Sequence, residues 1–369
     1  MIILVENKNL HYLYKIGLIV IILLLLFFSG FFIYRSVACL SYPYQLDYGE
    51  GAILNQINEL LKGNSIYSPI DEYPFIQGNY PPVYHLFSLP GIILTGSSFF
   101  WMRLISIIST LIIALVSGLI VKEITDNRYL SLISGFLFLS IKYVFIWGPF
   151  ARVDMLGLMF SVLGIYWIIK YQDKDNLYWA DIFFLLSVFT KQSFFAAPIA
   201  AYIWLIVKNR KKGIKHSLYF FGSGYILLSL LTLITKGQFF LHLVLYNMDD
   251  ISWQTVRHFM RDQLNLYLFL ILLGVSGALM LLKNKRWMIP LYLLTSFLFS
   301  LTVGKIGSSW NYLVEFYAVI SICVPMFLYY IFEYKRNISK IAVLVVIIIF
   351  IFHIWGWYHT PYGEQWTFT

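Results

Sequence analysis

Acidic and basic side chains embedded in apolar sequence are the residues to question first, because an ionised group in hydrocarbon must find water, a partner or a ligand. The earliest are Asp47 and Glu50, in Leu46-Asp47-Tyr48-Gly49-Glu50-Gly51. The chain continues as Ala52-Ile53-Leu54-Asn55-Gln56-Ile57-Asn58-Glu59-Leu60-Leu61-Lys62 and reads as a short helix stopped by Gly63. At helical pitch Ile53, Leu54, Ile57, Leu60 and Leu61 share one face, with Glu50 in its middle and Asp47 at its edge. A helix lying on a membrane turns its acids to water, so two carboxylates on the apolar side point to a polar cavity at the membrane surface. Burial there raises a carboxyl pKa and makes either acid a better proton acceptor.

Further along, Trp147-Gly148-Pro149-Phe150-Ala151-Arg152-Val153-Asp154 leads into an apolar run. An ionised residue at the centre of a span costs about 2.5–3.5 kcal/mol on insertion scales, so Arg152 and Asp154 require water, each other or a ligand. Pro149 suits a helix start, where free backbone N–H groups together with Arg152 can hold a phosphate. Lys191, in Thr190-Lys191-Gln192-Ser193, interrupts another apolar stretch and has no acid within four residues. Its partner must come from elsewhere: Asp154, Glu50, Asp47 or a bound anion. Arg257 and Arg261 stand one turn apart, a spacing fit for gripping a lipid phosphate at headgroup depth. Lys305 and the run 307–315 form the last polar feature, and packing alone does not explain Glu315, a turn into its span.

The elements that must position these groups are membrane helices. Apolar windows fall at about 16–34, 101–121, 130–147, 153–171, 217–235, 264–282, 288–303, 312–332 and 340–357, with less regular stretches at 82–95 and 179–207. Basic linkers at 208–215, 283–286 and 335–340 belong in the cytoplasm by the positive-inside bias. The 236–262 and 304–311 linkers, the tail from Trp357 and the first loop, 35–80, then lie outside. Pro81-Pro82 and Pro90-Gly91 leave 82–95 few uninterrupted helical residues, so it is expected to be a juxtamembrane or re-entrant helix. That choice breaks 179–207 near Thr190-Lys191-Gln192 into two short crossings and brings Arg152, Asp154 and Lys191 to the outer side. The expectation is an all-α polytopic bundle of about 11 spans forming one unit over 1–369, with its N-terminus inside.

Composition agrees. Of 369 residues 60% are hydrophobic and 12% charged, about half the roughly 25% charge of soluble proteins, which excludes a water-soluble domain. The net charge of +9 is gathered in short clusters between apolar runs, a pattern of topology and not of nucleic-acid binding. Cys39 and Cys323 are far apart and fit neither a metal nor a redox spacing. No Gly-rich phosphate loop, nucleophile elbow or zinc-type ligand spacing occurs, so nucleotide-driven chemistry is not indicated and no cofactor is expected, while the sequence leaves a metal requirement open.

Taken together the motifs resemble the GT-C superfamily of membrane glycosyltransferases, in its protein-mannosyltransferase-like and aminoarabinose-transferase-like branch. The resemblance runs in order through Asp47 and Glu50, the Lys62-Gly63-Asn64-Ser65-Ile66-Tyr67 stretch, Asn79-Tyr80-Pro81-Pro82-Val83-Tyr84, Arg103, Arg152-Val153-Asp154, Lys191-Gln192, and Asn311-Tyr312 with Glu315. It implies a GT-C bundle with juxtamembrane helices in the first outer loop. It also implies transfer of a monosaccharide, with inversion, from a polyprenyl-phosphate donor to a glycan, lipid or protein acceptor at the outer face of the cell membrane. Asp47 or Glu50 would be the base and Arg152 and Lys191 would meet the leaving phosphate. Tyr80, Asp154, Gln192, Arg257, Arg261, Asn311, Tyr312 and Glu315 would line the substrate site. Many relatives have adjacent Asp-Glu where this chain has Gly49-Glu50, and some place Lys where it has Tyr80. A flippase for lipid-linked sugars, or another secondary transporter, is the rival expectation. Against it, no inverted repeat is visible and the charged motifs collect on one side.

Overall fold

The computed structural model describes residues 8–331 other than 74 and 175. The expected span at 340–357, the basic linker 335–340 and the tail from Trp357 lie outside the described residues. Those described are helical, with no strand among them beyond one bridge pairing Ile251 with Lys305.

In chain order the helices are α1 (Lys8–Ser41), α2 (Tyr48–Leu61), α3 (Val83–Thr95), α4 (Phe100–Thr125), α5 (Arg128–Leu139), α6 (Lys142–Trp147) and α7 (Val153–Tyr171). They continue as α8 (Tyr178–Val188), α9 (Ala196–Lys208), α10 (Arg210–Ile234), α11 (Gln238–Leu243), α12 (Trp253–Lys283), α13 (Met288–Ser300) and α14 (Val314–Tyr329). Six stretches among the described residues are long and apolar enough to cross a membrane: Lys15–Ser41, Phe100–Thr125, Val153–Tyr171, Arg210–Ile234, Trp253–Lys283 and Trp310–Tyr329. Shorter apolar helices lie at Val83–Thr95, Arg128–Leu139, Tyr178–Val188, Ala196–Lys208 and Met288–Gly304.

Two features of the chain depart from the sequence expectation. The 130–147 window is not one span but α5 and α6, broken where Ile141 turns extended (φ −73°, ψ 128°). Ser140 folds back to donate to the Leu137 carbonyl, and the Tyr267 hydroxyl takes the Lys142 N–H that a continuous helix would use. The second departure is α12, which begins at Trp253 and runs unbroken to Lys283, so Arg257 and Arg261 sit on the first turns of a long helix and not in a linker extending to 262. Ser252 caps it through the Thr255 N–H.

The expected break in 179–207 falls between α8 and α9 and leaves Lys191 in the gap. Pro90 sits inside α3 without ending it, and at 13 residues that helix is about 20 Å long, short of the hydrocarbon thickness.

The core centres on α7 and α14, each surrounded by other helices. Gly277 lets α12 approach α14 until a Cβ there would meet the Cys323 carbonyl oxygen at 2.0 Å, and Gly274 faces Ile320 one turn earlier. Small residues at such a contact let backbones approach where lipid supplies no hydrophobic drive. By contrast α10 buries only Gly213, His216 and Phe220, all in its first half, and its second half is exposed or half-buried, with Leu228 and Leu231 resting on Tyr67 and Phe239 and their neighbours. His216 there bonds Asp181 of α8 at 2.6 Å, and Asp181 also accepts from Tyr202 of α9.

A candidate active site around Asp47 and Arg152

Helix α2 starts because Asp47, in extended conformation, caps it by accepting the Gly49 N–H at 3.0 Å. The helix runs over 48–61 with Lys62 as its C-cap and Gly63 at φ +83°, close to the expected limits. Its two acids meet very different environments.

Glu50 is fully buried and pairs side-on with the guanidinium of Arg103, on α4 and equally buried, through Nε to Oε1 at 3.0 Å and Nη2 to Oε2 at 2.7 Å. The same carboxylate accepts the backbone N–H of Leu46 at 2.6 Å and of Ala151 at 2.7 Å. Arg103 spends its other N–H groups on the carbonyls of Cys39, Tyr42 and Tyr44. All five guanidinium donors and both carboxylate oxygens are thereby used. Leu46 precedes Asp47 and Ala151 precedes Arg152, so this lock fixes the backbone directly before each member of a second ion pair.

That second pair is Asp47 Oδ2 with Arg152 Nη1, at 2.8 Å. It forms because position 49 is glycine: a Cβ there would stand 1.2 Å from Arg152 Nη1. The Arg152 Nη2 donates to the Tyr80 hydroxyl at 3.2 Å, and the guanidinium lies near the rings of Tyr48, Tyr80 and Trp147. Its Nε is buried without a partner. Burial pushes the Asp47 carboxyl above its ordinary range, against the pull of Arg152 and the Gly49 N–H, and no hydrogen bond reaches Oδ1 among the described residues.

The cluster continues inward. Asp154, on the first turn of α7, accepts Lys191 Nζ at 2.7 Å and Asn311 Nδ2 at 2.9 Å on Oδ1, while Oδ2 is buried with no partner. Lys191 stands 3.9 Å from the centre of the Tyr312 ring. Gln192 donates to the Asn79 carbonyl at 2.9 Å, next to Tyr80, and its own Oε1 and the Asn79 Oδ1 are buried and unpartnered. Glu315 accepts from the Tyr292 hydroxyl of α13 at 2.9 Å. A small cleft opens beside these groups, about 300 Å³ with its mouth, lined by Lys191, Asn311, Tyr312 and Glu315 and by the hydroxyls of Ser296, Ser300 and Thr302.

Of the twelve residues singled out in sequence, ten therefore gather in one connected region: Asp47, Glu50, Tyr80, Arg152, Asp154, Lys191, Gln192, Asn311, Tyr312 and Glu315. Arg257 and Arg261 do not join it; both are exposed on the N-terminal turns of α12. Glu50 joins it as a saturated structural group, whereas Asp47 keeps Oδ1 and Asp154 keeps Oδ2 without a hydrogen bond among the described residues. Sequence reasoning gave no role to Arg103, although the logic applied to Lys191 finds it, since it too is a lone cation in an apolar run with no acid within four residues. Tyr292 and the cleft hydroxyls carry no comparable signal. Among the described residues no three His, Cys, Asp or Glu side chains come together in a way that could hold a metal ion.

With this geometry the comparisons with known proteins fall into place. The family described as dolichyl-phosphate-mannose-protein mannosyltransferase matches residues 79–235, from the Asn79-Tyr80 motif to the end of α10. None of the curated proteins matches the chain in sequence. Among solved structures the chain is similar to ArnT from Cupriavidus metallidurans in the apo state, with a TM-score of 0.62 at 14% identity over 88% of this chain and 61% of that one. The same protein bound to undecaprenyl phosphate gives 0.60 at 14% identity, over 88% and 62%. The oligosaccharyltransferase of Archaeoglobus fulgidus, in complex with Zn and sulfate, gives 0.54 at 14% identity, over 90% and 52%. The chain thus spans about six-tenths of the length of ArnT. It is an integral membrane protein with the GT-C fold, the architecture of a superfamily of membrane glycosyltransferases. The resemblance carried by its motifs holds at the level of fold and of the family match.

Proposed function

We propose that the chain is a glycosyltransferase that moves one monosaccharide, hexose or pentose, from a polyprenyl-phosphate donor to a glycan, lipid or protein acceptor. The reaction takes place at the extracytoplasmic face of the cell membrane. The observation that carries this reading is the pairing of Asp47, with one carboxylate oxygen unbonded, and Arg152, with one N–H unpartnered, on a fully hydrogen-bonded support. ArnT bound to undecaprenyl phosphate supplies the donor class by analogy of fold.

In this mechanism Asp47 accepts the proton of the acceptor hydroxyl. The acceptor oxygen attacks the anomeric carbon as the bond from that carbon to the phosphate oxygen breaks, which inverts the configuration. Polyprenyl phosphate leaves with the bonding electron pair on its phosphate oxygen, and Arg152 and Lys191 meet that charge. Asp154 and Asn311 hold Lys191 in place. A polyprenyl chain cannot leave the bilayer, so a polar site next to lipid brings its headgroup to the acceptor. No metal enters this scheme.

The test is incubation of purified protein with radiolabelled polyprenyl-phosphate sugars and a panel of acceptors, followed by product analysis. Labelled product with wild type and none with Asp47→Asn is the expected result. Donor that crosses a vesicle membrane with no product formed would sink the reading in favour of a flippase.

A further inference from the structure

The segment 64–80 between α2 and α3 carries Asn79 and Tyr80 into the site, and its own structure is mostly turns. It has no helix or sheet to hold it. Side chains do so instead, a buried imidazole foremost among them. His242, on α11, accepts the Gly78 N–H on Nδ1 at 2.9 Å and bonds the Ser68 carbonyl through Nε2 at 2.8 Å, so one ring ties together two points ten residues apart. A ring that accepts at Nδ1 and donates at Nε2 is the neutral Nε2–H tautomer, and both bonds require it. Tyr67 packs edge-on against the same ring and donates to the Tyr80 carbonyl at 2.8 Å, while Gln56 of α2 donates to the Gln77 carbonyl at 2.9 Å. Two residues beyond Gly78, the Tyr80 hydroxyl receives Arg152, and the Asn79 carbonyl receives Gln192.

We infer that His242 is a positioning residue for the donor site: its neutral imidazole clamps the strap 64–80 so that Tyr80 and Asn79 stay seated on Arg152 and Gln192. The inference rests on the transferase reading for its kinetic consequence and on geometry alone for the clamp. A protonated ring turns Nδ1 from acceptor to donor and sets it against the Gly78 N–H, so the clamp opens in acid. The titratable side chains packed on the ring are Tyr67 and Tyr246, and no ion pair with His242 occurs among the described residues. Asp71 and Glu72 lie on the strap itself. Burial lowers the imidazole's affinity for a proton. The clamp is therefore complete above the ordinary histidine range, about 6.5, and is lost as pH falls below it.

Two substitutions separate clamping from simple packing. His242→Phe keeps the ring against Tyr67 and Tyr246 and removes both hydrogen bonds. His242→Gln offers an oxygen to Gly78 and an N–H to Ser68. In hydrogen exchange on the full-length protein in detergent, corrected for the intrinsic pH dependence of exchange, peptides covering 64–80 should exchange about tenfold faster in His242→Phe and within about threefold of wild type in His242→Gln. In wild type, but not in His242→Gln, the same peptides should loosen as pH drops below about 6.5. Donor KM should rise about tenfold in His242→Phe with a smaller change in kcat, whereas mere loss of folded enzyme would lower kcat and leave KM unchanged. Unchanged exchange in His242→Phe overturns the clamp, and faster exchange with an unchanged donor KM overturns the positioning role. If wild type transfers no sugar at all, the transferase reading falls while the exchange comparison still decides the clamp.

Discussion

Asp47 and Glu50 are three residues apart, yet substitution should separate them cleanly. Glu50→Gln removes the charge that neutralises a fully buried Arg103, and breaking such a pair on one side costs about 3–5 kcal/mol. Lower expression and an unfolding midpoint well below wild type in detergent are expected, and a stable, fully active Glu50→Gln would contradict the lock. Asp47→Asn should behave in the opposite way. It keeps the cap and the shape, so the midpoint stays close to wild type while kcat falls about 10²–10⁴-fold. Because burial raises the Asp47 carboxyl, kcat/KM should climb with pH along an acid limb displaced above the usual value near 3.9, and Asp47→Asn should erase that limb. The sign for folding follows from the same shift. A carboxyl whose affinity for a proton rises on folding adds stability below its unfolded pKa, and that contribution is lost as pH rises through the folded one. Both acids were visible in the sequence as misplaced charges, but which of them was free was not, because that depends on Arg103 and on two backbone N–H groups, one of them 101 residues away.

At the level of helices, what positions the pair is close approach. Gly49→Ala should leave the fold intact and push Arg152 aside, lowering kcat/KM about ten- to hundredfold, since misplacement by an ångström at a reacting centre costs that much. An alanine that retains wild-type kcat/KM would show that the Asp47–Arg152 contact is dispensable. Gly277→Ala is the structural counterpart. Its methyl group meets backbone at 2.0 Å and cannot be relieved by a side-chain rotation, so the α12–α14 contact must open, with a loss of about 1–3 kcal/mol read as a lower unfolding midpoint. Long helices such as α4 and α7 were legible from apolar length, and the α8–α9 break from Lys191. The α5–α6 break was not, because its cause is a hydroxyl from Tyr267, more than a hundred residues on. The start of α12 at Trp253 was obscured by the polar residues of its first turns, which mimic a loop when only apolarity is scored.

For the molecule as a whole, the reading depends on sidedness. The two native cysteines are buried, so single cysteines placed at exposed positions report on topology with low background. With a membrane-impermeant thiol reagent on intact cells, Asp250→Cys should label and Lys211→Cys should label only after permeabilisation. The reverse pattern would turn the candidate site toward the cytoplasm. Charge bias in the sequence is what sets the orientation these labels test, whereas the convergence of first loop, α7, the α8–α9 gap and α14 on one region is a property of packing that no window of residues contains.

The sparse packing of α10 reaches further than its own stability. At 25 residues the helix is about 37 Å long, more than the roughly 30 Å of a bilayer's apolar interior, and such a helix adjusts to mismatch by tilting. Its N-terminal end is moored by His216, and its C-terminal end leads through Gly237 straight into α11. Acyl-chain length thus becomes a lever on the strap 64–80: lipids that alter the tilt of this one outrigger displace the imidazole mounted at its tip.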